Sequence, residues 1–450
     1  MKPEHQKYAL AEVPRYTSYP TAVQFHDGVG EDDYRLWLSQ IAKDEPLSLY
    51  LHIPFCQKMC WYCGCHTSVA HTYDRVGTYT QDLLAEIDLL AAAIPGHHGG
   101  LAHVHFGGGS PTMLNDADFA AITAKIMAVF GARPVMELAV EIDPRTMSAQ
   151  KAQALADAGV TRASLGVQDF NRHVQEKINR IQPFELVENT VGWLRDAGVH
   201  AINFDLIYGL PGQSVQDVKH STELAVSLRP DRLAVFGYAH VPWFKKHQEM
   251  IKTDDLPGME ERFAEAHMVG QVLQGAGYIA VGFDHYAHPD DSMAKAAEAG
   301  TLRRNFQGYT TDTADTMLGL GASSIGALGP GYVQNAPSLD IWRNAIHDGT
   351  LPITRGVALN GEDAMRRAAI MTLMSAMALD LGGHAIGFDA PENALDDALE
   401  KLLPLADDGL VEITGRKVKV TPEGRIFIRN VAACFDTHWQ MSTGRHSRAV

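Results

Sequence analysis

From residue 47 onward, short apolar runs alternate with amphipathic segments of helical length. The apolar runs cover positions 47–53, 102–106, 136–142, 162–167, 201–207 and 232–236. Strands separated by helices in this way predict βαβ units and a parallel sheet. Six such units in succession, with right-handed crossovers, predict a full or partial (β/α) barrel.

Chemically distinctive residues recur where these predicted strands end. A group of cysteines follows the first strand, and Gly107–Gly108–Gly109 follows the second. Later strands end at Glu141, Gln168, Asp205 and Ala239. Because the carboxyl ends of parallel strands meet at one rim of a barrel, where barrel enzymes carry their active sites, these residues predict one shared site.

The pattern changes near residue 360. Two helices, predicted at 362–377 and 395–407, precede a hairpin of 409–413 and 417–421 and a short helix from Pro422. A helix pair followed by a hairpin is typical of a winged-helix unit. We therefore divide the chain into an N-terminal arm (1–46), a (β/α) barrel with extensions (47–355) and a mostly helical, winged-helix-like C-terminal domain (356–450).

Charge and hydropathy narrow the class of protein. The chain of 450 residues carries a formal net charge of −16, which argues against a nucleic-acid partner. The predicted wing does not alter this, since acidic residues offset its few lysines and arginine, and we expect the domain to pack on or cover a substrate. Residues 1–15 have no apolar core of signal-peptide length, and the apolar stretch 368–381 is too short to span a bilayer. The expected location is cytoplasmic, with no membrane partner.

The cysteines are concentrated in one loop. Four of the five, namely Cys56, Cys60, Cys63 and Cys65, lie within ten positions, while Cys434 is isolated and is expected to be a buried apolar residue. Thiolates are soft ligands that suit zinc or an iron–sulfur cluster. A structural zinc site usually takes paired cysteines from separate segments, whereas three cysteines in one loop can hold a cubane and leave its fourth iron open. The cluster is favoured, and zinc remains the alternative.

The spacing CxxxCxxC after the first strand, with Tyr62 before the last cysteine, resembles the radical S-adenosylmethionine (SAM) superfamily. In that superfamily three cysteines bind a [4Fe–4S] cluster, and the glycine-rich end of the second strand holds the methionine amino group. The resemblance implies Cys56, Cys60 and Cys63 as cluster ligands and SAM as the molecule bound at the open iron. One electron from the cluster would then cleave SAM to a 5′-deoxyadenosyl radical.

Four further segments narrow the resemblance: 14–21 (PRYTSYPT), 49–56 (LYLHIPFC), 63–65 (CGC) and 305–311 (NFQGYTT). They are similar to the oxygen-independent coproporphyrinogen III oxidases, and the similarity extends along essentially the whole chain to 434–436. Ser110 stands where that family usually has Thr, which keeps the hydroxyl. The family implies an oxidoreductase of haem (porphyrin) biosynthesis that converts two propionates of coproporphyrinogen III to vinyl groups, giving protoporphyrinogen IX.

The family also implies two bound SAM molecules. The molecule on the cluster would contact Tyr50, Gly108, Glu141 and Ile325, and we assign Tyr50 and Glu141 a catalytic role. The second molecule would contact Tyr62, Gly109, Ser110, Gln168, Arg180, Asp205 and Ala239. Cys65 would be a marker of the family and not a ligand. The expected partners are the porphyrinogen and a reducing electron donor of flavodoxin or ferredoxin type, with the enzyme a monomer.

The chemistry of several of these side chains supports the same roles. Glu141 and Asp205 can accept hydrogen bonds from ribose hydroxyls or an ammonium group, and Arg180 can pair with a carboxylate. Arg180 could equally be an ordinary surface charge. Strand histidines such as His52, His103 and His105 are expected to be satisfied core or rim residues. For the substrate carboxylates we nominate Arg15, Arg303 and Arg304.

Two alternatives stay open from the sequence. One is a haem-binding chaperone of the same superfamily, against which Cys65 and the 305–311 segment argue. The other is a zinc-stabilised DNA-binding regulator built on the C-terminal unit, against which the acidic net charge argues.

Overall fold

The computed structural model describes residues 1–439, and the end of the proposed C-terminal domain, 440–450, lies outside the described residues. Its centre is a twelve-stranded sheet. Seven neighbouring strands of this sheet are parallel. In sheet order they are Thr316–Leu320, Leu47–Ile53, Leu101–Gly108, Ala132–Ile142, Arg162–Gln168, Ala201–Tyr208 and Arg232–Gly237.

Antiparallel strands extend both edges of the parallel set. Ile325–Leu328, Gly331–Asn335 and Ile353–Ala358 extend one edge, and His285–Ala287 and Ile279–Val281 extend the other. Within residues 1–439 the two outermost strands do not pair with each other, so the barrel is partial. The fold therefore confirms the radical SAM type of partial (β/α) barrel, and it adds a seventh parallel strand, Thr316–Leu320, that the sequence did not reveal.

Helices cover the outer face of the parallel strands. The short helix Arg172–Lys177 packs in a separate cluster with Leu210 and Tyr238. The helices on the main core are Tyr73–Ala93, Asp116–Phe130, Ala149–Asp157, Phe184–Asp196, Val215–Ser227 and Met259–Gly275. Their apolar sides pack on a main core that includes Leu49, Val104, Val140 and Phe204, all fully buried. Burial on this scale is the main stabilising contribution to such a sheet and holds the strand ends rigidly in place. In the part of the chain that the model describes, no helix is both long and apolar enough to cross a membrane.

The shorter elements complete the molecule. The remaining helices are Gln6–Leu10, Glu31–Ser39, Ser292–Glu298, Leu339–His347, Gly361–Ala376, Leu381–Ile386, Asp396–Asp407 and Ile428–Ala433. Small sheets are formed by Phe55–Cys56 with Ser68–Val69, by Arg303–Asn305 with Gly308–Thr310, and by Ala378–Asp380, Lys417–Val420 and Val411–Thr414. The C-terminal region thus has the expected helices and hairpin, with a third strand added.

The C-terminal region has its own apolar core, and the start of the chain belongs to that core. Tyr8, Val13, Tyr16 and Tyr19 are buried in one cluster with residues of the C-terminal helices. The Tyr16 hydroxyl donates to Asp436 Oδ2 at 3.0 Å. Residues 1–46 therefore do not form a free arm: their first half packs on the C-terminal region, and helix Glu31–Ser39 packs on the barrel core.

Candidate active site

The cysteine loop begins where the first barrel strand ends. Phe55–Cys56 pairs in parallel with Ser68–Val69, which closes the intervening residues into a loop. Thr67 Oγ1 donates to Cys56 Sγ at 3.3 Å, so the loop is also held from inside. Cys60 is buried and Cys65 is exposed, and both are free thiols.

Side chains from distant segments fix the backbone of this loop by donating hydrogen bonds to its carbonyl groups. The donors and acceptors are Asn179 Nδ2 to Met59 O (2.9 Å), Gln248 Nε2 to Tyr62 O (2.9 Å), His247 Nε2 to Cys63 O (2.7 Å) and Lys245 Nζ to Cys65 O (2.9 Å). A loop without regular structure of its own is thereby held at several points, as a rigid metal-ligand set requires.

Positive charge lies against the Cys60 sulfur. Arg145 Nη2 is 3.4 Å and Arg180 Nη1 is 3.5 Å from Cys60 Sγ. Both guanidinium groups also contact the partly buried Asp143, at 2.6 Å and 3.3 Å. Although burial raises the pKa of Asp143, the two arginines outweigh it and lower the pKa to about 2. Thiolate ligands and a cluster bring negative charge to a site, and these two guanidinium groups would offset it.

The other two candidate ligands differ in their surroundings. A hydrogen bond from Cys65 lowers the pKa of Cys63 to about 7, while burial raises the pKa of Cys56 to about 11. Among residues 1–439, no three His, Cys, Asp or Glu side chains already stand in metal-ligand geometry. The donor set and its charge environment fit an iron–sulfur cluster, and the assignment of the three ligands remains a prediction.

The glycine run lies directly beside the cysteine loop. A Cβ on Gly107 would fall 2.8 Å from Glu141 Oε1, and one on Gly109 would fall 2.6 Å from the Phe55 carbonyl oxygen. Gly108 has a φ of +112°, which strongly favours glycine. Without side chains, this strand end leaves its backbone open to a ligand.

Glu141 and Tyr50 lie on the inner face of the same rim. Glu141 accepts from the Gly108 amide at 3.3 Å and lies 3.1 Å from His105 Nε2, with its side chain 40% exposed. Tyr50 stacks on His105 at 5.9 Å between ring centres, and its hydroxyl is 3.0 Å from His52 Nδ1. Burial lowers the pKa of His52 to about 4, so this histidine is neutral. The histidines are hydrogen-bonded within the protein, as expected.

Asp205 and Arg180 lie on neighbouring positions further around the rim. Asp205 pairs in register with Gly166, whose carbonyl accepts from Arg180 Nη2 at 2.6 Å. Burial raises the pKa of Asp205 to about 7, and the charge of Glu141 adds to the effect. Arg180 is buried, and its Nε atom has no hydrogen-bond partner. The interpretation of Arg180 as an ordinary surface charge is therefore wrong. Its Nε–H group remains available to donate a hydrogen bond to a ligand.

The remaining candidates surround this group. Gln168 ends its strand with a φ of +68°, and buried Ser110 lies 2.7 Å from Thr112 Oγ1. Tyr62 is in the cysteine loop, where burial raises the pKa of its hydroxyl and the charge of Arg180 opposes that rise. Ile325 starts the hairpin beyond the seventh strand, next to Gly319, which pairs with Tyr50. Ala239 borders a large cavity.

This cavity, of about 1340 Å³, opens beside the cysteine loop and extends to the C-terminal region. It is larger than the roughly 300–1,000 Å³ of an ordinary small-molecule pocket. Its wall includes Cys65 and Ala239 from the rim together with arginines from four separate parts of the chain. They are Arg15, Arg262, Arg304, Arg425 and Arg429. Two acidic residues, Asp284 and Glu423, also border it, so cations predominate.

Arg304 is the most completely positioned of these arginines. Its Nε donates to the Tyr16 carbonyl at 3.3 Å, and its guanidinium lies over the rings of Phe283 (5.2 Å) and Tyr309 (4.6 Å). Nη1 is buried without a hydrogen-bond partner. A buried guanidinium donor left open at a cavity wall is a ready receptor for a carboxylate.

Arg303 does not line this cavity, so the structure gives no support to its nomination for the substrate. Its Nη1 pairs with Asp315 at 2.7 Å, and it does not border the cavity. Successive residues of a strand point to opposite sides, and Arg303 and Arg304 lie on one strand. Arg15 and Arg304, by contrast, both border the cavity.

Two arginines of the C-terminal region, Arg425 and Arg429, complete the wall and were missed by the sequence reasoning. Arg429 Nε donates to the Pro14 carbonyl at 3.0 Å, which ties the start of the chain to this region. Burial, reinforced by the positive charge of Arg15, lowers the pKa of Arg429 to about 9. No motif surrounds these residues, and only the folded chain brings them to the cavity.

Comparison with known proteins identifies the fold and the family. Residues 50–225 match the radical SAM superfamily, and residues 359–427 match the HemN C-terminal domain. The site is therefore that of a radical SAM enzyme, and a [4Fe–4S] cluster and SAM are its cofactors.

Full-length relatives define the particular family. The chain is 45% identical to the oxygen-independent coproporphyrinogen III oxidase of Bradyrhizobium diazoefficiens over 98% of both chains, and 37% identical to that of Escherichia coli over 96% of this chain and 94% of the other. The solved structure of E. coli coproporphyrinogen III oxidase, described as a radical SAM enzyme, superimposes with a TM-score of 0.90, at 36% identity and over 96% of this chain and all of that one. The chain belongs to the family of oxygen-independent coproporphyrinogen III oxidases.

Proposed function

We propose that this chain decarboxylates two propionates of coproporphyrinogen III to vinyl groups, giving protoporphyrinogen IX, and that its own residues divide between two tasks. The strand-end rim binds the cofactors, and the arginine-lined cavity binds the substrate. The observation that carries this division is the cavity itself, which joins Cys65 of the cysteine loop to an array of cations in one space.

On the cofactor side, Cys56, Cys60 and Cys63 hold the cluster. When bound, the cluster and SAM would supply abstraction of a hydrogen atom from the β-carbon of a propionate, after which loss of CO2 and of one electron to an acceptor would leave the vinyl group. Gly108 and Glu141 offer backbone and carboxylate to the ligand nearest the cluster, and Tyr50, stacked beside His105, shapes its pocket. Ile325, which lies against the Gly319 partner of Tyr50, closes this pocket on the side of the seventh strand.

A second SAM is accommodated further around the rim. Gly109 and Ser110 continue the strand end, and Asp205 offers a carboxylate that accepts no hydrogen bond within residues 1–439. Arg180 offers its unpaired Nε to a methionine carboxylate. Tyr62, Gln168 and Ala239 line the remaining space.

On the substrate side, Arg15, Arg262, Arg304, Arg425 and Arg429 balance the carboxylates of the macrocycle. Several arginines crowded together raise the free energy of the empty cavity, and anions relieve it. Burying the substrate away from water also protects a reactive radical from side reactions. The C-terminal domain therefore contributes directly to binding in this proposal.

The wider setting follows the same proposal. The protein acts as a cytoplasmic monomer that receives electrons from a flavodoxin- or ferredoxin-type donor, and it binds neither nucleic acid nor a membrane. The three-part division at residues 46 and 355 is retained as a functional description, with the N-terminal part shared between the barrel and the C-terminal domain.

An anaerobic turnover assay tests the function. Reconstituted protein with SAM, reductant and coproporphyrinogen III is expected to release CO2 and 5′-deoxyadenosine in equal amounts. Haem binding without either product would identify a chaperone instead, and zinc in place of iron and sulfide would exclude the cluster.

A further inference from the structure

The segment 241–250 covers the outer side of the cysteine loop. Its Lys245, His247 and Gln248 donate to the carbonyls of Cys65, Cys63 and Tyr62. Gln248 is fully buried and accepts from the Val241 amide at 2.6 Å, which braces the segment internally. One hydrogen bond therefore separates this segment from the backbone of a candidate cluster ligand.

Three large apolar side chains of the same segment are exposed. Trp243, Phe244 and Met250 are 51%, 74% and 58% exposed. Large apolar side chains exposed together mark interaction sites more often than chance exposure does. Aromatic residues and methionine are also the types enriched at protein–protein interfaces.

The charges around these residues are positive. Lys245 lies 5.2 Å above the Phe244 ring. Lys246 is the next residue in the sequence, Lys58 lies on the cysteine loop, and both are exposed. Within residues 1–439, neither Lys246 nor Lys58 forms an ion pair, and Glu249 is the one acidic residue of the 241–250 segment. In a chain of net charge −16, a local excess of lysine attracts an acidic partner and orients its approach.

We propose that Lys58, Trp243, Phe244, Lys246 and Met250 form a donor face, the docking surface for a small acidic protein that carries a low-potential one-electron centre. The donor loses one electron and the cluster gains it, with no bond made or broken. The short contact between His247 and the Cys63 carbonyl provides the bonded path inward. The proposal rests on the proposed function, because it requires the cluster at Cys56, Cys60 and Cys63.

The test compares a protein donor with a small one. Reconstituted full-length protein and its Phe244→Ser/Lys246→Glu variant are assayed for 5′-deoxyadenosine with reduced flavodoxin or with dithionite. The variant is expected to lose about tenfold in kcat/KM for flavodoxin, as removal of an interface aromatic and a steering charge does. Its rate with dithionite should remain that of the parent protein, because dithionite needs no docking surface.

A direct binding measurement accompanies the kinetics. The Kd for oxidised flavodoxin, measured by fluorescence titration at two salt concentrations, should rise in the variant, and the salt dependence should weaken. The matched control is Val135→Ser/Lys43→Glu, which also removes one exposed apolar residue and one lysine. Both positions lie toward the amino-terminal ends of the barrel strands, away from the cysteine loop. This control should behave like the parent protein in both measurements.

Three other outcomes are possible, and each would overturn a different part of the proposal. Equal flavodoxin kinetics and Kd in variant and parent would overturn the donor face. A variant that loses dithionite-driven turnover and raises the KM for coproporphyrinogen would show that the segment covers the substrate instead. A parent protein with intact iron that cleaves no SAM with either reductant would defeat the proposed function itself.

Discussion

The two halves of the active site are built in opposite ways. The cofactor rim takes its residues from consecutive strand ends of one barrel, and its cysteines lie within a single loop. The substrate cavity takes its arginines from the first residues, helix Met259–Gly275, the small sheet at Arg303–Asn305 and the C-terminal region. The rim depends on local geometry, whereas the cavity exists only when four distant parts of the chain have packed together.

This difference separates two kinds of failure. Damage at the rim should abolish radical formation, because every later step depends on it. Damage in the cavity should leave the cofactors in place and weaken the substrate complex alone. Substitutions with matched controls can therefore test whether the two halves are independent.

Cys60→Ser tests the rim with the largest expected effect. Loss of a direct cluster ligand should lower activity by more than the roughly 10–100-fold that loss of an outer partner of a metal site costs. Iron and sulfide content and the EPR signal should fall together with SAM cleavage. Cys65→Ser is the matched thiol control, and it should retain iron and sulfide. Loss of iron in the Cys65 variant alone would reassign the ligands.

Arg304→Gln tests the cavity, with an intermediate effect. Removing a charged donor to a carboxylate costs about 1.5–3 kcal/mol, so the KM for coproporphyrinogen should rise about 10- to 100-fold. Iron content and SAM binding should not change. Arg303→Gln alters the neighbouring residue, which pairs with Asp315 outside the cavity, and should be close to the parent protein. An equal rise in KM in the two variants would contradict the assignment of substrate binding to the cavity arginines.

Asp205→Asn tests the second SAM position, with the smallest effect. Because burial raises the pKa of Asp205 to about 7, its carboxyl is protonated below that pH and becomes the better acceptor as pH rises through it. SAM affinity of the parent should increase from pH 6 to pH 8, by at most about tenfold. In the variant this dependence should flatten, with binding weaker at pH 8.

Equilibrium binding of labelled SAM to anaerobic protein across this pH range measures both affinity and stoichiometry. The substitution should weaken one of two sites and spare the other. A single class of sites, or an unchanged pH profile, would contradict the assignment of Asp205.

Local order in the sequence explains what could be predicted. Each of the six predicted barrel strands forms, because alternating apolar strands and helices leave a strong pattern, and the contiguous cysteine motif identifies the cofactors. The seventh parallel strand, Thr316–Leu320, was missed because it is short, contains a glycine and follows no helix of ordinary length. Arg303 was nominated together with Arg304, although strand alternation turns the two side chains to opposite sides. Arg425 and Arg429 carry no local signal, since both reach the cavity wall only in the folded chain, where Arg429 contacts Pro14.

The bond between Tyr16 and Asp436 joins residues 420 positions apart. During synthesis, a chain grows from its first residue, and contacts of such long range form late because closing the loop costs entropy. The barrel and its cysteine loop can form during translation. The substrate cavity forms only after the C-terminal residues have been synthesised. The nascent enzyme can thus form its cofactor site before its substrate cavity exists.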